Sequence, residues 1–385
     1  MVSSLNYRLK LVTIFIALIL VCHMSCVACF AQPGKFIRVA ILQDASSLSL
    51  NIGGYFEIID AKSKRTLHHA KSLKTTVTAS KNGILIGSEN FYPDKVIIQA
   101  SKSAGLAING RKFRGNIQFI REDNSSLLVV NYLGLEDYIK GVLYHEVSHY
   151  WPLEILKAQA VVCRTYALNQ IEVNKGKDYD VTADIYSQVY GGRTSERYRT
   201  SKAVEQTRGE ILTYQGKVFP AYFHATCAGY TEDASLLWNI NIAPLKGVHC
   251  GFCQDSPHFK WHNVLNIDEL RQTLEKSGYR IKEIKDILIG DRDKSGRIVV
   301  LKFINEKETL NISAKDFRNI IGPNIIRSTN FTVKLADNDA VFVGYGWGHG
   351  VGLCQWGGYF MAKSGYNYQE ILRYYYPGSL LESLD

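Results

Sequence analysis

The 385-residue sequence has no block of like charge, no low-complexity linker and no internal repeat. It is neither a polyelectrolyte tail nor a repeat array. Apolar residues form one long run, Leu11 to Cys22, and no second span follows. That excludes a multi-span membrane protein. Cysteine is scarce beyond residue 31, where only Cys163, Cys227, Cys250, Cys253 and Cys354 occur. An odd count rules out a scaffold with every cysteine in a disulfide. Cys163 falls in an apolar helical pattern and reads as core.

What is present begins with charge. The formal net charge is +9, spread along the chain. It fits either a soluble basic surface or attraction to a polyanion. Residues 1–31 choose among polyanions. Arg8 and Lys10 precede the apolar run, and small residues follow it, with Ala28 or Ala31 before a cleavage point. This is the layout of a secretory signal peptide, and the run is short for a span. An uncleaved N-terminal anchor is the alternative, as is lipidation at Cys22, Cys26 or Cys29. All of these place the protein in the periplasm or cell envelope, which removes nucleic acid as a partner.

The pattern predicts an α+β protein. Residues 32–133 read as a β-rich unit, because short apolar runs such as Phe36 to Leu42, Lys95 to Ala100 and Ser126 to Leu133 alternate with turn residues. An α/β region follows in two parts, 134–264 and 343–385, with a smaller α+β subdomain inserted at 265–342. In the first part Leu135, Tyr138, Ile139 and Val142 have helical spacing. Pro152 opens a second helix, striped by Leu153, Leu156, Ala160, Cys163 and Ala167. Lys157 and Arg164 lie two turns apart on another face. They suit an anion or a carboxylate, or else a solvated helix edge.

Three segments carry chemistry. In Gly344-Tyr-Gly-Trp-Gly-His-Gly-Val-Gly352, glycine fills every second position. An extended chain would then present bare backbone on one face and Tyr345, Trp347, His349 and Val351 on the other. Aromatic and imidazole groups suit a sugar's faces and hydroxyls, and no Gly-Lys-Ser/Thr follows that would make a phosphate loop. Glu146 sits between two predicted helices, beside His145, His149 and aromatic residues. A carboxyl so placed in a cleft has its pKa raised, as a general acid needs. Composition alone does not rank Glu146 above Glu136 or Glu154. The third segment holds Cys227, then Cys250 and Cys253 at C-x-x-C spacing, which suits a metal knuckle, a disulfide or a redox pair. His224, His249, His258 or His262 would supply a fourth ligand.

Together these stretches resemble the stage II sporulation protein D family, which also includes amidase-enhancer proteins. The matching runs are Leu135 to Val142, Glu146, Trp151 to Leu168, Ser187 to Gly192, Ala221 to Glu232, Gly346 to Gly357 and Tyr375 to Gly378. The resemblance implies a lytic transglycosylase that cuts peptidoglycan between N-acetylmuramic acid and N-acetylglucosamine, with Glu146 as acid and base and no cofactor for catalysis. It further implies roles for Lys157, Arg164, Tyr222, His349 and Gln355 in positioning the glutamate and the glycan, and a preference for strands stripped of stem peptides. The alternative it carries is a non-catalytic binder that activates a cell-wall amidase. A Cys-x-x-x-His-Cys run that holds zinc in some members is replaced here by Thr182 to Ser187. Any structural zinc must therefore use Cys227, Cys250 and Cys253.

Overall fold

The structure, a computed structural model, describes residues 35–306 and 308–384. One compact unit spans Phe36–Leu384. The expected signal peptide or anchor, and the cysteines at 22, 26 and 29, lie outside the described residues. No described helix is long and apolar enough to cross a membrane. Strands and helices are both abundant, so the α+β expectation holds.

Ten strands come first: β1 (Phe36–Ala45), β2 (Ser47–Asp60), β3 (Thr66–Ser80), β4 (Gly83–Ile86), β5 (Glu89–Phe91), β6 (Lys95–Ala100), β7 (Gly105–Ile108), β8 (Arg111–Phe113), β9 (Asn116–Arg121) and β10 (Leu127–Gly134). Alternation drives them together. Along β2, Leu48, Leu50, Ile52, Phe56 and Ile58 are buried while Ser47, Ser49, Asn51 and Tyr55 face solvent. The strands pair antiparallel in the order β1-β10-β9-β6-β2-β3-β4-β5, with β7 and β8 branching from β2.

Gly134 ends β10 and is the N-cap of α1 (Leu135–Glu146). The helix therefore starts directly from the sheet, with Leu135, Tyr138, Ile139, Val142 and Leu143 in the sheet's core. Glu136 and Asp137 occupy its first turn, where carboxylates favour the helix dipole. After Pro152 comes α2 (Leu153–Val173). The sequence pattern shows one apolar stripe on it, but the helix is buried on two sides. Leu156, Ala160, Cys163 and Ala167 pack with the sheet, whereas Ile155, Ala158, Val161 and Val162 enter a second core. A helix apolar nearly all round belongs inside a protein.

Beyond α2 the chain adds β11 (Val181–Thr182) parallel to β1, then α3 (Tyr198–Gln206), β12 (Glu210–Tyr214), β13 (Lys217–Val218), β14 (Phe223–His224) and α4 (Ala234–Trp238). Next is a segment with a core of its own, from Trp261 to Phe342. It comprises β15 (Lys260–Asn266), α5 (Ile267–Lys276), β16 (Asp286–Ile289), β17 (Val300–Ile304), β18 (Thr309–Ser313), α6 (Ala314–Ile321), β19 (Phe331–Ala336) and β20 (Asp339–Tyr345). Its first and last strands pair antiparallel, Lys260 opposite Tyr345. The chain then returns through β21 (Leu353–Cys354), α7 (Gln355–Lys363), α8 (Tyr368–Tyr375) and β22 (Leu380–Ser383), which closes on β12.

Candidate functional site

At the end of α1 the backbone turns extended at Val147. The Glu146 carboxyl thereby leaves the helix and enters a cleft of about 450 Å3. Val189 donates its N–H to Oε1 at 3.1 Å. The other carboxylate oxygen meets no protein donor among the described residues. Burial raises the Glu146 pKa from its ordinary 4.5 to about 7, and the single hydrogen bond only partly opposes it. Among the described residues that line the cleft, Glu146 is the one carboxylic acid. Its neighbours in sequence face elsewhere. His145 Nε2 is 2.6 Å from Ser195 Oγ, and His149 packs against Tyr150 with ring centres 3.9 Å apart.

The glycine-alternating segment supplies the opposite wall, but not as an extended strand. β20 stops at Tyr345, and Gly346, Gly348, Gly350 and Gly352 all take positive φ. A Cβ on Gly352 would lie 2.0 Å from the Tyr222 carbonyl oxygen, and one on Gly348 would lie 2.7 Å from the His224 Cβ. Only glycine allows the chain to wind so closely against β14. The winding scatters the four side chains expected on one face. His349 lines the cleft. Val351 is buried, Tyr345 stays exposed, and Trp347 leaves the cleft to pack on His258 and beneath Arg327.

β21 then pairs parallel with β14, Phe223 to Leu353 and His224 to Cys354. This brings two imidazoles together, ring centres 5.8 Å apart. His224 Nδ1 lies 3.1 Å from the Val351 carbonyl oxygen, so that nitrogen carries the proton. Its Nε2 is a buried acceptor with no protein partner among the described residues. His349 Nδ1 accepts the Val351 N–H at 3.1 Å, which places its proton on Nε2. Burial, then Arg318 and Arg297, push His349 down to about 3, and burial likewise keeps His224 neutral. Directly after β21, Gln355 donates from Nε2 to the Glu146 carbonyl at 3.1 Å. The C-terminal region thus braces the end of α1.

Aromatic groups complete the walls. Tyr222 and Trp238 lie 4.3 Å apart, and Trp238 meets His349 edge-on at 5.1 Å. Tyr166 lines the floor, its phenol pushed up to about 12 by burial. Tyr186 stands at the rim, 86% exposed. The sequence reading missed one contribution entirely. Lys315, Arg318 and Asn319 of α6 reach the cleft from the 260–345 segment. Lys315 donates to the Leu237 carbonyl at 2.8 Å and Arg318 to the Arg327 carbonyl at 3.2 Å. Neither cation pairs with a carboxylate among the described residues. The available signal was Ser313 followed by Asp316, a helix-start pair that α6 uses, Ser313 Oγ accepting the Asp316 N–H at 3.0 Å.

Comparison with known proteins matches residues 123–214 to the family model described as stage II sporulation protein, and residues 246–352 to a domain of unknown function (DUF8618). An uncharacterized protein of Brachyspira hyodysenteriae is 36% identical over 92% of this chain and 95% of its own length. The stage II sporulation protein D of Bacillus subtilis is 30% identical over 66% of this chain and 76% of its length. This chain belongs to the stage II sporulation protein D family. The amidase enhancer of Bacillus subtilis is 29% identical over 78% of the chain, but only 47% of that longer protein is spanned.

Within this family member, two residues expected near the glycan stand elsewhere. Lys157 donates to Glu154 at 2.8 Å and lies over the Tyr368 ring. Arg164 is wholly buried, held by both Glu136 oxygens at 2.8 Å and by the Glu210 carbonyl at 2.9 Å. Neither lines the cleft. The carboxylate that meets Lys157 comes from α2 itself, and the one that meets Arg164 comes from α1. The family stretch Ser187 to Gly192 is placed by packing. Tyr190 donates to Asn131 at 2.8 Å and the Gly191 N–H donates to the Gly141 carbonyl, which aims Val189 at Glu146. Cys227, Cys250 and Cys253 do converge, and the fourth member of their group is Cys354 rather than a histidine. None of these cysteines lines the cleft.

Proposed function

We propose that this protein is a peptidoglycan lytic transglycosylase. The observation that carries the reading is the Glu146 carboxyl, raised to about 7 in a cleft that holds no second carboxylic acid among the described residues. Two-carboxylate glycosidases place a second acid roughly 5–9.5 Å from the first, to act as nucleophile or to activate water. A lone carboxyl suits a substrate that brings its own nucleophile. Protonated Glu146 gives its proton to the glycosidic oxygen, and the N-acetylglucosamine leaves with that oxygen. The carboxylate then takes the proton of the muramic acid 6-hydroxyl as that oxygen bonds to C1, which closes the 1,6-anhydro ring. Glu146 ends protonated, and no water enters the product.

The walls fit such a ligand. The Tyr222–Trp238 pair offers a flat apolar face to a sugar ring. His224 Nε2 accepts from a hydroxyl or acetamido N–H. Lys315 and Arg318 face the lactyl carboxylate, which is free once a stem peptide has been removed. An upstream amidase would supply that substrate.

Two outcomes follow for purified protein and peptide-free glycan. Because the first step needs the protonated acid, kcat/KM is expected to be flat below pH 7 and to fall about tenfold per pH unit above it. A profile rising through that range would contradict the assignment. Gln355→Ala removes the brace on the Glu146 carbonyl, worth about 1 kcal/mol for a hydrogen bond. It is expected to lower kcat about fivefold with little change in KM. The named amidase enhancer supports a second reading, in which the same cleft only grips glycan and stimulates an amidase. Anhydro products formed with no partner present decide between the two.

A further inference from the structure

We infer that Cys227, Cys250, Cys253 and Cys354 bind one zinc ion in a closed four-thiolate site, and that this ion knots together the pieces of chain that place His224, His349 and Gln355. The inference does not depend on the reaction assigned to Glu146. The four sulfurs all lie within 4.8 Å of one another, with Cys227 and Cys253 at 3.5 Å. A tetrahedral zinc with bonds of about 2.3 Å sets its sulfurs about 3.8 Å apart. The ion fits with little movement. Four thiols converging on one point suit a single metal better than two separate disulfides, which draw sulfurs together in pairs at about 2.05 Å.

The surroundings match the charge. Four thiolates on Zn2+ leave a net double negative charge, after each thiol has released its proton. Donors point at the sulfurs: the Cys227 and Gly357 N–H groups at Cys354, each 3.3 Å, and the Tyr375 hydroxyl at Cys250, 3.1 Å. Gly357 is needed there, because a Cβ would come within 2.0 Å of the Tyr375 hydroxyl and 2.9 Å of the Cys250 sulfur. Arg297, also fully buried, donates to the Cys227 carbonyl at 3.1 Å. All four cysteines are at most 1% exposed, so no ligand position is left for water or substrate. Such a closed site is structural, not catalytic.

Its position gives the consequence. Cys227 follows β14 and His224 by three residues. Cys354 ends β21, caps α7 and immediately precedes Gln355. Cys250 and Cys253 sit just before β15. One ion therefore fastens the β14–β21 pair to the root of the 260–345 segment.

The test is metal analysis of the full chain, purified under reducing conditions from cells given zinc chloride. About one zinc per chain is expected, released in full by p-hydroxymercuribenzoate. Cys163→Ser, which lies outside the cluster, should keep the zinc, and Cys250→Ser and Cys354→Ser should each lose it. Chelation should speed amide exchange in residues 223–227 and 346–357 more than in β1 or β10. Wild-type protein holding under about half a zinc per chain would overturn the proposal whether or not the cysteine variants fold. So would stoichiometric iron, or an intact mass showing two disulfides among the four cysteines.

Discussion

Glu146→Gln is expected to lower the release of anhydro-muramyl products from peptide-free glycan by about a thousandfold, within the range that general acid–base catalysis contributes. The amide keeps the carbonyl that accepts the Val189 N–H, so the cleft keeps its shape. What disappears is the proton. The same variant carries a stability signature with a defined sign. The folded pKa of Glu146 is about 7, above its ordinary 4.5, so between those values the folded protein binds more protons than the unfolded chain. Stability must then fall as pH rises from 4.5 to about 7. Glutamine is free of that penalty. Thermal unfolding should show the variant gaining Tm over the parent at pH 8 and no such gain at pH 4. Parent-level product release from the variant would refute the proposed chemistry, and the Tm comparison would then report only on burial.

Glu136→Ala should be strongly destabilising. Arg164 is 0% exposed, and both Glu136 oxygens receive its guanidinium. The Gly209 N–H also donates to Glu136, at 3.3 Å. Removing the carboxylate leaves a buried cation uncompensated, which costs about 3–5 kcal/mol. Urea unfolding measures it. Replacing both partners, Glu136→Leu with Arg164→Met, should recover most of that loss, because the desolvation penalty goes with the charges. Activity per folded molecule should change little in the double variant, since neither side chain lines the cleft. A collapse of kcat in well-folded double variant would instead return Arg164 to the reacting centre.

The legible parts of the fold were those with strong periodicity. β6 and β9 follow apolar alternation, β1 and β10 are nearly continuous apolar runs, and α1 follows helical spacing. β3 is not legible because Thr66–Ser80 is rich in lysine, threonine and histidine and buries only Val77 fully, so its partner β2 and not its own pattern makes it a strand. The second buried side of α2 is not legible because its buried packing partners lie fifty or more residues away in sequence, from Leu212 onward. In the site, Glu146 rested on resemblance, since nothing local distinguishes it from Glu136, yet one ends in a cleft and the other under an arginine. The glycine run misled through an assumption of extended backbone. Positive φ at four alternating positions cannot be read from composition, and it decides that His349 and not Tyr345 or Trp347 reaches the cleft.

The antiparallel closure of β15 on β20 sets Lys260 beside Tyr345. The whole loop-out of eighty-odd residues therefore leaves and rejoins the main body at one doorway. Acid and cations around the cleft belong to separable stretches of chain, residue 146 on one and residues 315 and 318 on the other. Such an arrangement lets Lys315 and Arg318 vary, and with them the charge of the ligand the cleft suits, while Glu146 stays untouched.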